Sequence, residues 1–532
     1  MRHPIQRLHV CAATARLYTG TSNALHVFSS ASGENLGSWT AAPGNITTVA
    51  VVANEDEGPK KKRKVEGDGD GQGQGKGKGK DGKGKEGKEK KKKEGGGKPS
   101  LNAITKILTV KSGEFVLVAT NDDKAVTVLR AEGLEVMSVR HLPKRVVDLA
   151  FVERTETILC ADKFGDVFGI PLFASDSGEE PSQAATTTTT AAPAATTTTA
   201  DVEMANTEKV YESEEQKARH LEKARLNSER EAVAAERRKR LHVDYNIPFA
   251  HDFVLGHVSM LLSLLTITLP ASHPAAGGKE KTWVLTSDRD EHIRVTRYPQ
   301  SYVIEGFCLG HTQFVKTLHA PSWDLTSLIS GGGDEYLLVW NWRERRALQK
   351  VDLVAPVQAV LGADAKIFVP KTADKGEAEA EDADASFKFA VSGLWEVPEI
   401  RGILVGIESV PALFLFSWTP EGLQYTSTLS LPGNFLDAAV SPAESKVYVS
   451  VDPLGDPLDG ATPLLAIYNL TAEGVWTPTP TATTEAATIE QAVVQAVDVS
   501  EEVLAAVKPT VMYSVASLRK EYGIRGAEDR EA

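Results

Sequence analysis

Cysteine is scarce in this chain: Cys11, Cys160 and Cys308 are the three in 532 residues. An odd number spread this widely excludes a disulfide framework, offers no metal-ligand spacing and suits a reduced interior. Long apolar runs are lacking too. The longest, Val254–Leu269, contains His257 and falls short of the ~20 residues that a membrane helix needs. The opening residues, MRHPIQRLHVCAATARLYTG, carry no apolar core of the secretory type, so neither secretion nor a membrane is expected. There is no G-x-S-x-G elbow, and no G-x-G-x-x-G follows a strand and opens a helix. Hydrolysis and nucleotide-cofactor binding therefore have no visible seat here. No catalytic residue, cofactor site or metal site is expected in this chain.

Net positive charge is also lacking over most of the sequence. The net charge is −13, yet residues 60–98 hold 16 Lys/Arg against 7 Asp/Glu. The rest of the chain therefore carries about −22, a poor starting point for binding phosphate by itself. That basic stretch lies in a loop, residues 54–100, with no aromatic residue and Val65 as its one apolar side chain, so it cannot bury enough to order itself. Its many G-x-G spacings are a by-product of low complexity. Within it stands Pro59-Lys60-Lys61-Lys62-Arg63-Lys64-Val65, which looks identical to the short monopartite nuclear-import signal. A passive solvated charge run is the bland reading. The match favours import, hence a nuclear location with the cytoplasm as a second site.

What is present is a repeat. Between Val254 and Trp342 two copies each open with Gly-His (Gly256-His257, Gly310-His311), then give a strand, a hydroxyl, an Asp turn and another strand. That order is the signature of a WD blade, four antiparallel strands per repeat. The second copy supplies His311, Ser330, Asp334 and Trp340; the first supplies His257, Thr286 and Asp290, with Thr296 where Trp would stand. Imidazole, hydroxyl, carboxylate and indole N–H can close one hydrogen-bond network, and buried polar groups persist when each has a partner. A Ser–His–Asp trio also invites a hydrolase reading. Its recurrence in two successive repeats suits a scaffold better than a unique active site.

The rest of the chain follows this frame. The expected fold is all-β, a seven-bladed WD-repeat β-propeller with long disordered or partly helical loop insertions. Residues 1–53 read as blade 1 and the start of blade 2, with 101–175 as blades 2 and 3. In the turn Ala161–Asp166, Phe164 stands where the structural Asp would fall. Residues 176–246 form a Thr/Ala-rich and charged insertion whose part 207–240, free of Gly and Pro, reads as a solvated helix. Blades 4–7 are expected over 247–475, interrupted by an acidic run at 377–384, then a linker over 476–500 and a tail over 501–532. Tyr513, Val515 and Leu518 are spaced to dock that tail on the body.

Four segments carry a resemblance: Ala161–Phe168 (ADKFGDVF), Ser287–Pro299 (SDRDEHIRVTRYP), Gly306–His311 (GFCLGH) and Tyr513–Lys520 (YSVASLRK). With GHVSML, they resemble the WD-repeat, non-catalytic subunit of eukaryotic tRNA (guanine-N7)-methyltransferase. The likeness is strong over about 104–343 and in the tail, weak in the first blade and absent from the insertions. It implies a heterodimer with a catalytic subunit that holds S-adenosylmethionine and methylates N7 of a guanine in the tRNA variable loop, tRNA being met mainly through the complex. It also implies partner docking through the motifs that match Lys163, Glu291 and Arg294. A general nuclear WD adaptor, a ubiquitin-ligase receptor or chromatin reader, shares every blade feature but does not predict SDRDEHIR or SLRK.

Overall fold

The computed structural model describes residues 4–41, 102–173, 247, 249–362, 388–453, 463–471, 474–478, 482–495 and 511–520. These form seven four-stranded antiparallel sheets, arranged as the blades of a propeller. The blades run over residues 7–40, 104–141, 146–256, 261–308, 315–352, 391–430 and 433–478. The first strand of each blade lines a central channel, and the fourth lies at the rim.

Burial explains the sequence pattern. The second and third strands are covered on both faces, so Phe115–Thr120 (FVLVAT) and Gly402–Ile407 (GILVGI) are buried at every residue and read as unbroken apolar runs. The rim strand Asn35–Thr40 shows only alternating partial cover. Close packing demands small residues at the blade contacts: a Cβ on Gly406 of blade 6 would stand 2.2 Å from the Phe435 ring of blade 7.

The channel encloses about 620 Å³ and a chain of polar links runs around it. Asp437 of blade 7 accepts from Leu8 N of blade 1 at 3.0 Å, and Arg7 Nε donates to Thr105 O of blade 2 at 2.7 Å. Lys106 meets Asp148 of blade 3, and Asp148 accepts from Leu264 N of blade 4. Lys316 of blade 5 donates to Leu262 O at 3.3 Å. Burial lowers the Lys316 ammonium to about 8.

Three expectations about boundaries change. Blade 2 has its four strands within 104–141, and the stretch 46–53 expected to open it lies outside the described residues. Blade 3 takes its rim strand, Asp252–Gly256, from beyond the insertion, so blade 4 begins at Leu261 rather than at 247. The expected linker over 476–500 contains the strand Trp476–Pro478 and the helix Ala482–Gln495. Its Ile489 and Val493 are fully buried beside Tyr448, Leu17 and Phe28, where blade 7 meets blade 1. Glu490 accepts from Leu464 N at 2.6 Å and Leu465 N at 2.8 Å, and Glu485 stands 2.9 Å from Lys446. Thr/Ala/Pro composition suggested a linker; the Ile/Val spacing at four residues is what buries the helix. The loop 54–100 with Lys60–Lys64, the helix expected over 207–240 and the acidic run 377–384 lie outside the described residues.

Candidate docking face on blades 3 and 4

Antiparallel order places the turn between second and third strands, and the link into the next blade, at one end of the propeller. Three such segments meet there on blades 3 and 4. In the blade-3 turn Asp162 Oδ1 accepts from Phe164 N (2.7 Å), Gly165 N (3.0 Å) and Asp166 N (3.0 Å). Asp162 is therefore the turn's structural carboxylate, two residues earlier than the WD pattern suggested. Its Oδ2 is buried without a partner. Asp166 is pushed up to about 6 by burial and by the neighbouring Asp162 charge. Gly165 has φ +113°, and a Cβ there would lie 2.6 Å from His257 O, so the turn packs directly on the link into blade 4. His257 N donates to Gly165 O at 2.8 Å.

Blade 4 corrects one assignment. His257 Nε2 is 2.8 Å from Thr286 Oγ1, and Nδ1 is 3.1 Å from Asp288 Oδ2. The carboxylate in this network is Asp288, not Asp290. Asp288 sits at the end of strand Lys281–Asp288 and its Oδ1 also accepts from Asp290 N and His292 N, so it faces inward while Asp290 faces solvent. In blade 5, His311 Nδ1 lies 2.7 Å from Asp334 Oδ2 and Nε2 2.7 Å from Ser330 Oγ, to which Trp340 Nε1 donates at 2.8 Å. There the carboxylate follows the hydroxyl by four residues, in blade 4 by two. Spacing alone could not distinguish them.

Arg294 also departs from expectation. Ile293 and Val295 do enter the core and Arg294 takes the opposite face, but that face is covered. Arg294 is 9% exposed. Its Nε donates to Thr296 Oγ1 at 3.0 Å and its Nη1 to Gly256 O of blade 3 at 3.0 Å, and burial lowers its pKa. The guanidinium thus ties blades 3 and 4 together. Lys163 remains exposed on its turn. Glu291 sits at φ 72°, the left-handed region that a non-glycine residue holds only when its surroundings fix it. Lys520 of the C-terminal segment is 3.0 Å from Asp290 and 3.3 Å from Glu291.

Exposed apolar side chains lie on the same blades and links; of these the sequence reading named only Phe164, as a turn residue. Phe164 is 62% exposed, Phe253 59%, Val258 77% and Leu309 63%, with Phe307 beside them. Two of them are linked through Arg294: Phe253 packs at Gly256, whose carbonyl accepts from Arg294, and Arg294 pairs in register with Phe307. Lys144 lies 4.5 Å over the Phe164 ring. Exposed aromatics in such number mark a surface meant to be covered. Among the described residues no group of three or more His, Cys, Asp or Glu could hold a metal, and no helix is long and apolar enough to cross a membrane.

A family model described as "tRNA methyltransferase TRM82 WD40 domain" matches residues 17–462. The chain belongs to this family. Among its relatives, the proteins named tRNA (guanine-N(7)-)-methyltransferase non-catalytic subunit trm82 in Aspergillus oryzae and Aspergillus clavatus are 36% and 33% identical to it. The two alignments cover 66% of this chain, and 62% and 63% of the respective relatives. The chain thus spans just under two thirds of their length. The similarly named protein of Phaeosphaeria nodorum is 33% identical, over 70% of this chain and 73% of its own.

Proposed function

We propose that the chain is a non-catalytic WD-repeat subunit that binds, and stabilises or activates, the catalytic methyltransferase forming N7-methylguanosine in the tRNA variable loop. The observation that carries this is the blade 3–4 face, where exposed Phe164, Phe253, Val258 and Leu309 lie on the same blades and links as Lys163, Asp290 and Glu291. The names of the relatives support the same reading over a general adaptor. An apolar centre supplies affinity to such an interface, while the charges of both signs set register and reject wrong partners. S-adenosylmethionine is assigned to the partner, tRNA is reached mainly through the complex, and Lys60–Lys64 direct nuclear import.

Co-purification tests the core of the proposal. The tagged full chain should bring down one stoichiometric methyltransferase. Lys163→Glu and Phe164→Ala should lower its recovery and tRNA N7-methylation without shifting the melting curve. Recovery of a ubiquitin-ligase scaffold, or of no steady partner, would overturn it. Arg294→Glu is a poor probe, because it breaks the bond to Gly256 as well. Calorimetry should detect no S-adenosylmethionine binding to the chain alone, and deletion of Lys60–Lys64 should cost nuclear accumulation.

A further inference from the structure

Residues 511–520 lie across the same end of the propeller, from blade 7 to blade 4. The Tyr513 hydroxyl donates to Asp452 Oδ2. Glu408 accepts from Val515 N at 2.8 Å and Ala516 N at 2.6 Å, and Val515 is buried among Leu262, Phe314 and Ala390. Arg289, on the blade-4 turn, donates to Leu518 O at 2.8 Å and Arg519 O at 3.3 Å. Arg519 reaches Phe389 O at 2.5 Å and Glu335 at 3.4 Å. Carboxylates of four successive blades therefore grip this short segment. Val515 is its buried anchor, most of the other residues are half-buried, and its last described residue, Lys520, bridges Asp290 and Glu291 beside the docking face.

That placement has a physical meaning. The blade-4 turn is held from within by Asp288 and from outside by Arg289 and Lys520, which together fix Glu291 in its left-handed conformation. Burial works against the Lys520 charge, but the two carboxylates outweigh it and raise the ammonium above its ordinary value. The Lys520 ammonium thus stays charged at neutral pH. An ammonium has three N–H donors, and two carboxylates leave one for an acceptor on whatever covers the face.

We propose that residues 511–520 are a built-in clasp that completes the docking face. Lys520 holds the Asp290–Glu291 turn in the shape that the partner meets, and offers its remaining N–H to a carboxylate or carbonyl of that partner. A loop fixed beforehand in its bound form loses less freedom on association, so the clasp raises affinity by pre-organisation. The inference rests on blades 3 and 4 being the docking face.

The test uses the full chain, Lys520→Ala, Lys520→Glu and a chain ending at residue 510. Hydrogen exchange at residues 288–292 of the isolated protein reads the turn directly. Calorimetric titration with the S-adenosylmethionine-dependent subunit of the same organism's tRNA (guanine-N7)-methyltransferase reads docking. Lys520→Glu should speed exchange in that turn, leave blades 1 and 2 unchanged and weaken binding about tenfold. Lys520→Ala should weaken it a few-fold, with both melting curves near that of the parent. The shortened chain should lose more, since Leu262 and Phe314 become uncovered. Unchanged exchange overturns the clasp, and so does tighter binding by any variant, which would make the segment a competitor instead. Failure of the parent itself to bind the methyltransferase would sink the docking reading, while the exchange result would still judge the clasp.

Discussion

The Asp148 carboxylate of blade 3 accepts a 2.9 Å hydrogen bond from the Leu264 backbone N–H of blade 4. Its other oxygen lies 2.7 Å from Lys106 Nζ of blade 2, so one side chain ties three consecutive blades. Lys106 is 39% exposed, and a pair with such a partner contributes little, whereas a buried N–H left without an acceptor costs ~1–3 kcal/mol. Asp148→Ala should therefore destabilise by about 2 kcal/mol in urea unfolding, and Asp148→Asn, which keeps an acceptor, by distinctly less. Equal losses would place the weight on the ion pair instead.

Asp288 and Asp290 should behave as opposites. Asp288 serves His257 and two turn N–H groups while buried, so Asp288→Ala should cost roughly 2–3 kcal/mol. The Asp290 side chain, 47% exposed, meets Lys520 at the surface, so Asp290→Ala should cost under about 1 kcal/mol. Thermal melts of the two variants check this, and a reversed order would return Asp290 to the blade network.

Two titrating groups at opposite ends of the scale give pH dependences of opposite sign. The Asp166 value, near 6, exceeds the ordinary carboxylate value of about 4, so between these pH values the folded chain binds more protons than the unfolded one. Its contribution thus weakens folding as pH rises through that window. Asp166→Asn should be more stable than the parent at pH 7 and lose the advantage near pH 4. Lys316, lowered to about 8, does the reverse: the unfolded chain binds more protons between about 8 and 10.4, so this contribution rises with pH. Lys316→Met should flatten the stability profile in that alkaline window. Profiles unchanged by either substitution would show that these groups do not titrate as assigned.

The helix Ala482–Gln495 should prove part of the fold's closure. Ile489→Ala would open a cavity where blade 7 meets blade 1, at a cost of ~2–4 kcal/mol in denaturant unfolding. A loss below about 1 kcal/mol would mean that the helix merely rests on the surface.

The blades were legible because their signal is repetitive: Gly-His, apolar strand, hydroxyl, turn, strand. Blade 5 folds with the residues that this pattern names. The pattern failed where identical chemistry can be supplied from two positions. Asp288 and Asp290 are both plausible turn residues, and only the backbone path says which faces His257. Arg294 was expected at the docking face, but strand alternation says which face a residue takes and not what covers that face. Phe253 and Val258 went unremarked because an exposed aromatic or aliphatic looks like any other until its neighbours are known. The rim strand of blade 3 was missed because its partners are separated from it by the insertion.

That strand bears on how the protein is made. The third strand of blade 3 ends at Pro171, and the strand that covers its free edge starts at Asp252. During synthesis three strands of this blade are complete while the fourth has yet to leave the ribosome. For that interval Asp166–Pro171 presents an unpaired, largely buried-type edge, open to any extended segment nearby, including that of a neighbouring nascent chain. The length of the insertion thus sets the duration of a hazard in biogenesis. Shortening it would bring Asp252 out sooner, and the gain would be read in soluble yield rather than in the melting point of the finished propeller.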